Sequence, residues 1–467
     1  MKKIILSGIG LLLSAMVFAQ APEWIIVDKI TIAGNDKTRV GVVFRELPFQ
    51  LGDTILLENL SAKLVEGERQ LMNSGLFASA AITYKNWEGA TQKVHLQVDL
   101  LENWYIYPIP KFELADRNFN VWWKDQNRSL ERVNIGLEFK HLNLTGWGDE
   151  FEVGFEYGYT RSYGIAYKRP YLNRARTLGL ETSLSFSRNR EINYATADNK
   201  QLFFNLEDDF VRWQTKLQTS LNWRPNLYVR HSILLEYHQN WIDPLVIQDF
   251  NPNYFANKNN EQRFIRLGYT LRADYRDNRA YPWSGYAYGG DLLKDGLGFF
   301  GDRNALVLET FLEQYWPIGE KMSIGLGVRS KYTFTRQLQA YTYNRAIGFG
   351  RNKISGYELF LIDGLDMALF RSNLRIQLLK GQLNFGKWVF LKAFRQFPFQ
   401  LNASFSNDLG YINAPFNDGN NSLANRTLWG GGAGLDFVFY YDFVFRVQYS
   451  VNQFGQTGIF LDFDLGI

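Results

Sequence analysis

The residues best suited to chemistry in this 467-residue chain do not assemble into a catalytic set. There is no cysteine, which excludes thiolate metal sites, thiol nucleophiles and disulfides. The four histidines are His95, His141, His231 and His238. His231 and His238 are seven positions apart, so in one unbroken strand they face opposite sides and cannot share a metal. No Gly-x-Ser-x-Gly elbow and no Gly-Lys-Ser/Thr phosphate loop occurs. Gly296-Leu297-Gly298-Phe299-Phe300-Gly301 spells Gly-x-Gly-x-x-Gly. It lacks the strand-then-helix setting that would bring a pyrophosphate to a helix N-terminus, and it reads as strand or turn. The expectation is a protein that is not an enzyme and uses no metal or cofactor.

The elements that carry these residues are mostly strands. Aromatic residues make up 16% of the chain, with 40 glycines, and charged residues 21%. The mean hydropathy of −0.26 argues against a bundle of membrane helices, but not against a membrane barrel, whose strands are apolar on one face only. A formal charge of +4, from 51 basic and 47 acidic residues, gives no case for a nucleic-acid partner. At the N-terminus, Lys2 and Lys3 precede an apolar stretch from Ile4 to Val17, and Val17-Phe18-Ala19 precedes Gln20. That layout predicts a signal peptide over residues 1–19, its apolar run shorter than the ~20 residues of a spanning helix. Without a cysteine, lipid attachment behind it is excluded. No later apolar run reaches ~18 residues, so no transmembrane helix is expected.

Residues 20–102 read as a small α+β domain with the order β-α-α-β-β. Its parts are a strand over Ile25–Ile32, helices over Thr38–Leu47 and Leu56–Asn73, and strands around Ile82–Tyr84 and Val94–Leu100. Leu60, Leu64 and Leu71 mark the buried face of the second helix, and Gly75 follows as its C-terminal cap. Ile30-Thr31-Ile32-Ala33-Gly34-Asn35, Thr38, Arg45-Glu46, Gly52-Asp53 and Gly75-Leu76-Phe77 together resemble a POTRA domain, the polypeptide-transport-associated module. The resemblance implies a periplasmic domain that pairs a client strand to an exposed sheet edge, without saying which edge.

Beyond residue 102 the period becomes two. Val133, Ile135, Leu137 and Phe139 alternate with Asn134, Gly136, Glu138 and Lys140. The same pattern runs through Phe151–Tyr159 and Phe443–Asn452. One apolar and one polar face over ~9–11 residues fits a tilted strand crossing a bilayer. Residues 103–467 are therefore expected to form a transmembrane antiparallel β-barrel. Twelve to eighteen strands fit the length, and sixteen fit it comfortably. Residues 189–200, 249–260 and 413–425 read as long polar loops.

Several motifs in this part resemble the BamA/TamA superfamily, in which a barrel of surface-antigen type follows POTRA domains. Asp277-Asn278-Arg279 with Tyr281-Pro282-Trp283-Ser284-Gly285 resembles its Asp-x-Arg…Pro-x-x-Gly junction. Asp408-Leu409-Gly410 resembles its late Asp-x-Gly segment, and Gly430–Gly434 its glycine-rich strand. Ile354-Ser355-Gly356-Tyr357-Glu358 stands where the superfamily has Val-Arg-Gly-Tyr/Phe on a loop folded into the lumen. Ser355 replaces the lumenal arginine, and Asn373 replaces the acidic partner on the next strand. Losing both charges is close to neutral, where losing one strands a buried charge at roughly 3–5 kcal/mol. A Ser355–Asn373 contact is the expected anchor of the loop.

In the terminal strand Gly458, Ile459, Leu461, Phe463, Leu465 and Ile467 form the seam motif. The apolar ones among them share a face, and Ile467 replaces the common terminal phenylalanine. The resemblance implies a sixteen-stranded barrel, a short member with a single POTRA domain, in the bacterial outer membrane with that domain in the periplasm. Its implied work is inserting or secreting other outer-membrane proteins. Its implied partners are the lipid bilayer, unfolded outer-membrane or secreted polypeptides, and other subunits of an assembly complex. A client strand would pass from the POTRA edge to the first barrel strand, near Tyr105–Leu114, or to the last. The competing reading is a passive pore or solute transporter.

Overall fold

The computed structural model describes residues 24–88, 91–173, 175, 177–206, 209–256, 258–300, 303–384, 386, 396–417, 419–439 and 443–465. The expected signal peptide, residues 1–19, and Ile467 lie outside the described residues. The chain divides into two compact units, Met1–Trp104 and Tyr105–Ile467.

The first unit runs β1 (Trp24–Ala33), α1 (Val40–Glu46), β2 (Thr54–Leu56), α2 (Leu57–Asn73), β3 (Phe77–Glu88) and β4 (Lys93–Glu102). Its sheet has the order β2-β1-β4-β3, with β1 and β4 parallel and the other pairs antiparallel. The three-residue β2 is an addition to the expected β-α-α-β-β order. Ile25 and Val27 of β1, Val94, Leu96 and Val98 of β4, and Leu60 and Leu71 of α2 are all buried, as the alternating and helical spacings require. Gly67 lets α2 approach the sheet, because a Cβ there would lie 2.7 Å from Ile82 Cδ1.

In the second unit the sequential strands are β5 (Ile106–Leu114), β6 (Val133–Leu142), β7 (Glu150–Gly158), β8 (Thr160–Arg169) and β9 (Leu178–Asn189), with helix α3 (Phe119–Lys124) between β5 and β6. After them come β10 (Glu191–Ala197), β11 (Lys200–Asn205), β12 (Arg212–Trp223), β13 (Val229–Ile242), β14 (Glu261–Asp274), β15 (Gly285–Asp295), β16 (Ala305–Ile318) and β17 (Met322–Thr333). The rest are β18 (Arg345–Ile347), β19 (Ile362–Asp363), β20 (Asp366–Asn384), β21 (Gln396–Asn413), β22 (Thr427–Val438), β23 (Phe443–Asn452) and β24 (Thr457–Leu465). Sixteen of these form one antiparallel sheet running from β5 to β24, while β10–β11 and β18–β19 are separate two-stranded pairs.

Alternation sorts the two faces. Leu217, Leu221, Ile233, Leu235, Leu267 and Leu312 are exposed on the outside, an apolar surface too extensive for a water-soluble monomer and suited to lipid. Inward residues carry charge in compensated sets. Lys111 meets Glu138 at 2.7 Å, and Glu236 takes Lys216 at 2.7 Å and Arg266 at 3.4 Å. His231 and His238 both lie in β13 on opposite faces. The inward His238 is buried against Glu236, and the outward His231 stacks between Trp223 and Tyr269.

Two of the expected polar loops hold more structure than composition suggested. Residues 189–200 fold into the β10–β11 hairpin, turning at Asp198 and Asn199, whose φ values of 49° and 58° suit a type I′ turn. In the connection between β13 and β14, Tyr254 and Phe255 are buried with Ile192, Val211, Ile242 and Val246. Polar residues flank these anchors, so average composition hid them. We call the end of the barrel where β5 begins the near end, and the other the far end. The hairpin and the long connections lie at the far end.

Candidate functional site

The 32-residue connection between β17 and β20 does not stay at the rim. Its middle turns back inside the barrel, with Tyr357 N–H donating to the Ile354 carbonyl at 3.0 Å and Gly356 at φ +81°. A Cβ at Gly356 would lie 2.7 Å from the Val451 carbonyl carbon, so β23 passes where only glycine fits. Ile347, Ile354, Tyr357 and Ile362 bury themselves against Met367, Leu369, Ile412 and Leu428 of the wall. The two glycine-bearing motifs of the wall supply the space. A side chain at Gly410 would overlap Ile354, and one at Gly430 would overlap the Ser355 carbonyl oxygen.

Polar contacts then fix the turn. Ser355 donates its N–H at 2.9 Å and its hydroxyl at 2.8 Å to the same carboxylate oxygen of Asp408. Gln448 donates to the Ser355 hydroxyl at 3.1 Å, and Ser406 lies 3.0 Å from it. Asn452 donates to the Gly356 carbonyl at 3.0 Å, and Arg371 donates to the Lys353 carbonyl. The expected Ser355–Asn373 contact is not what holds the loop. Asn373 instead accepts from Arg375 at 3.1 Å. The serine side chain is short, so its contacts form with the strands beside the loop's path, β21 and β23. Asp408 is the anchor the sequence reading missed. Its signal was present in the Asp408-Leu409-Gly410 segment, where one residue bonds the loop and the other makes room for it.

Glu358 closes the motif. Burial pushes its carboxyl up to about 7, with the Asp408 carboxylate adding to the effect. One oxygen accepts from Ser450 at 3.3 Å, and the other is buried without a hydrogen-bond partner among the described residues.

A second segment enters from the near end. In the β14–β15 turn, one Asp277 oxygen accepts from the N–H groups of Asn278, Trp283 and Ser284 at 2.8, 3.0 and 3.2 Å, which shapes the Asp-x-Arg…Pro-x-x-Gly motif. Tyr281 reaches across the lumen and donates to Asp436 of β22 at 2.7 Å. Asp436 is fully buried and also takes Arg446 at 2.6 Å and Ser404 at 3.0 Å. Arg375 stacks on the Tyr281 ring at 4.3 Å and donates to the Pro282 carbonyl. Between the two inward segments lies a cavity of about 500 Å³, lined in part by Arg279, Arg351, Ser355, Asp408 and Asp462.

Among the described residues, no ladder joins the two ends of the sheet. β5 pairs only with β6 and β24 only with β23 among the described residues, so the first and last barrel strands share no ladder. On β24, Ile459 and Phe463 are exposed outward at 62% and 56%, while Phe460 is buried inward. Leu461 shares the outward register and Gly458 lies beside the Phe460 ring. Leu465 ends the described strand.

The POTRA-like residues of the first unit hold turns and core. Gly34, at φ +81°, lies where a Cβ would overlap the Leu100 carbonyl, and Asn35 donates to the Thr38 carbonyl at 2.9 Å. Gly52 donates to the Val27 carbonyl at 2.8 Å, and Asp53 accepts from Gln50 N–H at 2.8 Å. Gly75 follows α2, and Leu76 and Phe77 are buried. The surface they frame is β3, a 12-residue edge strand with Tyr84 and Trp87 exposed.

No protein-family model matches the chain, and no curated sequence matches it. Its fold is shared with solved structures. The BamA structure from Haemophilus ducreyi lacking POTRA domains 1–3 aligns at a TM-score of 0.53 and 12% identity, over 94% of this chain and 84% of that one. CdiB from Acinetobacter baumannii aligns at 0.52 and 14%, over 94% and 74%. CdiB from Escherichia coli aligns at 0.50 and 10%, over 96% and 91%.

Proposed function

We propose that this chain is an outer-membrane barrel that handles other polypeptides, assisting the insertion or secretion of outer-membrane proteins. The observation that carries the reading is that, among the described residues, no ladder joins β5 and β24 in an otherwise continuous sixteen-stranded sheet. Unpaired N–H and C=O groups in lipid are strongly unfavourable, so such an edge is a template for another strand. The client strand adds to β24 or β5 through main-chain bonds, which ask little of its sequence.

In the periplasm, the domain over residues 20–102 offers its own edge. The 12-residue β3 is the better template, since β2 at the other end of that sheet has only three residues. The signal peptide over 1–19, the barrel over 103–467, and partner subunits of an assembly complex belong to this reading. Chemistry on a substrate does not. A passive pore fits less well, because two segments fold into the lumen and are bonded to its wall.

The test is depletion followed by comparison of the outer-membrane proteome. Specific loss of other barrels or of secreted proteins supports the reading, while unchanged levels with loss of solute uptake favour the pore.

A further inference from the structure

Among the described residues the seam has no backbone ladder, yet β24 is held by side chains. Its inward face is occupied. Phe460 lies under Lys124 at the end of α3, with the ammonium 5.9 Å from the ring centroid, and Asp462 pairs with Lys353 at 3.0 Å. Neither cation belongs to a neighbouring strand. Lys353 is on the inward-folded loop, and Lys124 is on a helix inserted between the first two barrel strands.

That helix is tied to the same loop. Arg117 donates to the Phe360 carbonyl at 2.6 Å and to the Gly348 carbonyl at 3.3 Å, and Asn118 donates to the Glu358 carbonyl at 2.7 Å. Gly348 makes this possible, because a Cβ there would stand 2.7 Å from the Arg117 guanidinium. Asn118 also caps α3, accepting from Val121 N–H at 2.9 Å. Phe119 stacks on Trp123, while Trp122 meets both rings at steeper angles, so the three aromatic side chains pack together on the short helix. The loop is in turn bonded to β23 through Gly356 and Glu358.

We propose that α3 and Lys353 form an internal clasp on the last strand, and that β24 is released only when this clasp withdraws. The clasp is autoinhibitory. It holds the inner face of the last strand through side chains, while the lateral edge of that strand has no ladder partner among the described residues. A cation over a ring and a half-exposed ion pair are each weak at such sites, so the joint opens far more readily than a paired strand would. Because the helix and the lysine answer to one loop, undocking the loop frees both contacts together. This inference rests on the proposed function for its purpose, but its geometry can be tested without any client.

The absence of cysteine makes the test clean. In lipid nanodiscs, hydrogen exchange of the Phe460–Phe463 amides is followed in the native chain, in Lys353→Glu, in Arg117→Ala, and in Lys353→Cys/Asp462→Cys bridged by a short reducible thiol crosslinker. The expected result is exchange about threefold to tenfold faster in Lys353→Glu and Arg117→Ala. The bridged pair should exchange more slowly and recover on reduction. The charge-reversed Lys353→Glu/Asp462→Lys chain should return to near the native rate, which separates the ion pair from general damage. Unchanged exchange in Lys353→Glu and Arg117→Ala, with no effect of the bridge, would overturn the clasp. Insertion of other barrels is scored separately in cells, so a clasp that behaves as stated in a protein without clients counts against the proposed function alone.

Discussion

β21 and β24 lie three strands apart in one sheet and are held in opposite ways. β21 has 18 residues, pairs on both sides, and carries Asp408, Gly410 and Ser404 to receive the two inward segments. β24 has nine described residues, pairs on one side, and meets only side chains on its inner face. The barrel is thus cross-braced where the loop docks, while the first and last strands share no ladder among the described residues. The difference locates function: the wall stores position and the seam stores freedom.

The largest way to break this comparison is Gly430→Val, which puts a side chain where the Ser355 carbonyl sits. The loop should leave the wall, and protease cleavage within residues 344–365 should speed up by at least about 100-fold. Next comes Asp408→Ala, which removes the acceptor of two Ser355 bonds and the carboxylate directly across from Arg371. Docking should weaken by about 2–3 kcal/mol, read by the same cleavage assay.

The pH response follows from Glu358, held neutral in the docked loop. Its docked value of about 7 lies above the ordinary 4.5, so ionisation favours the undocked loop. Docking should be strongest below about pH 4.5 and should weaken as pH rises through 7, by up to about 3 kcal/mol. Loop protection measured from pH 4.5 to 8.5 should flatten in Glu358→Gln. The smallest contrast is the sharpest about the anchor. Ser355→Ala should cost about 1 kcal/mol, since the N–H bond to Asp408 survives, while Asn373→Ala should stay within about 0.5 kcal/mol. A larger effect at Asn373 than at Ser355 would restore the anchor first expected from the sequence.

Much of this was legible in the chain because strands announce themselves by period. The alternations at Val133–Lys140 and Phe443–Asn452 fall within β6 and β23, and the buried face of α2 was set by Leu60 and Leu71. The lumenal motif at 354–358 was also visible. Its partner was not, because Ser355 reaches Asp408 across 53 residues, and a short polar side chain accepts many partners with no sequence signature. The helix α3 escaped notice for a related reason. Six residues carry no full amphipathic period, and what stabilises them is the Asn118 cap and the carbonyls that Arg117 and Asn118 reach more than 200 positions away. A seam at the terminal strand was expected from the resemblance alone, because no residue pattern shows whether β24 has a neighbour, and among the described residues it shares no ladder with β5.

The central claim is that the free edge of β24 receives a client strand. A photo-crosslinking residue placed at Ile459 or Phe463, both exposed on β24, tests it during synthesis of new outer-membrane proteins in living cells. Adducts with nascent barrels or secreted chains at these positions, and few at Leu312 on the lipid face of β16, are the predicted result. Equal labelling at both places, or adducts with lipid alone, would contradict the account.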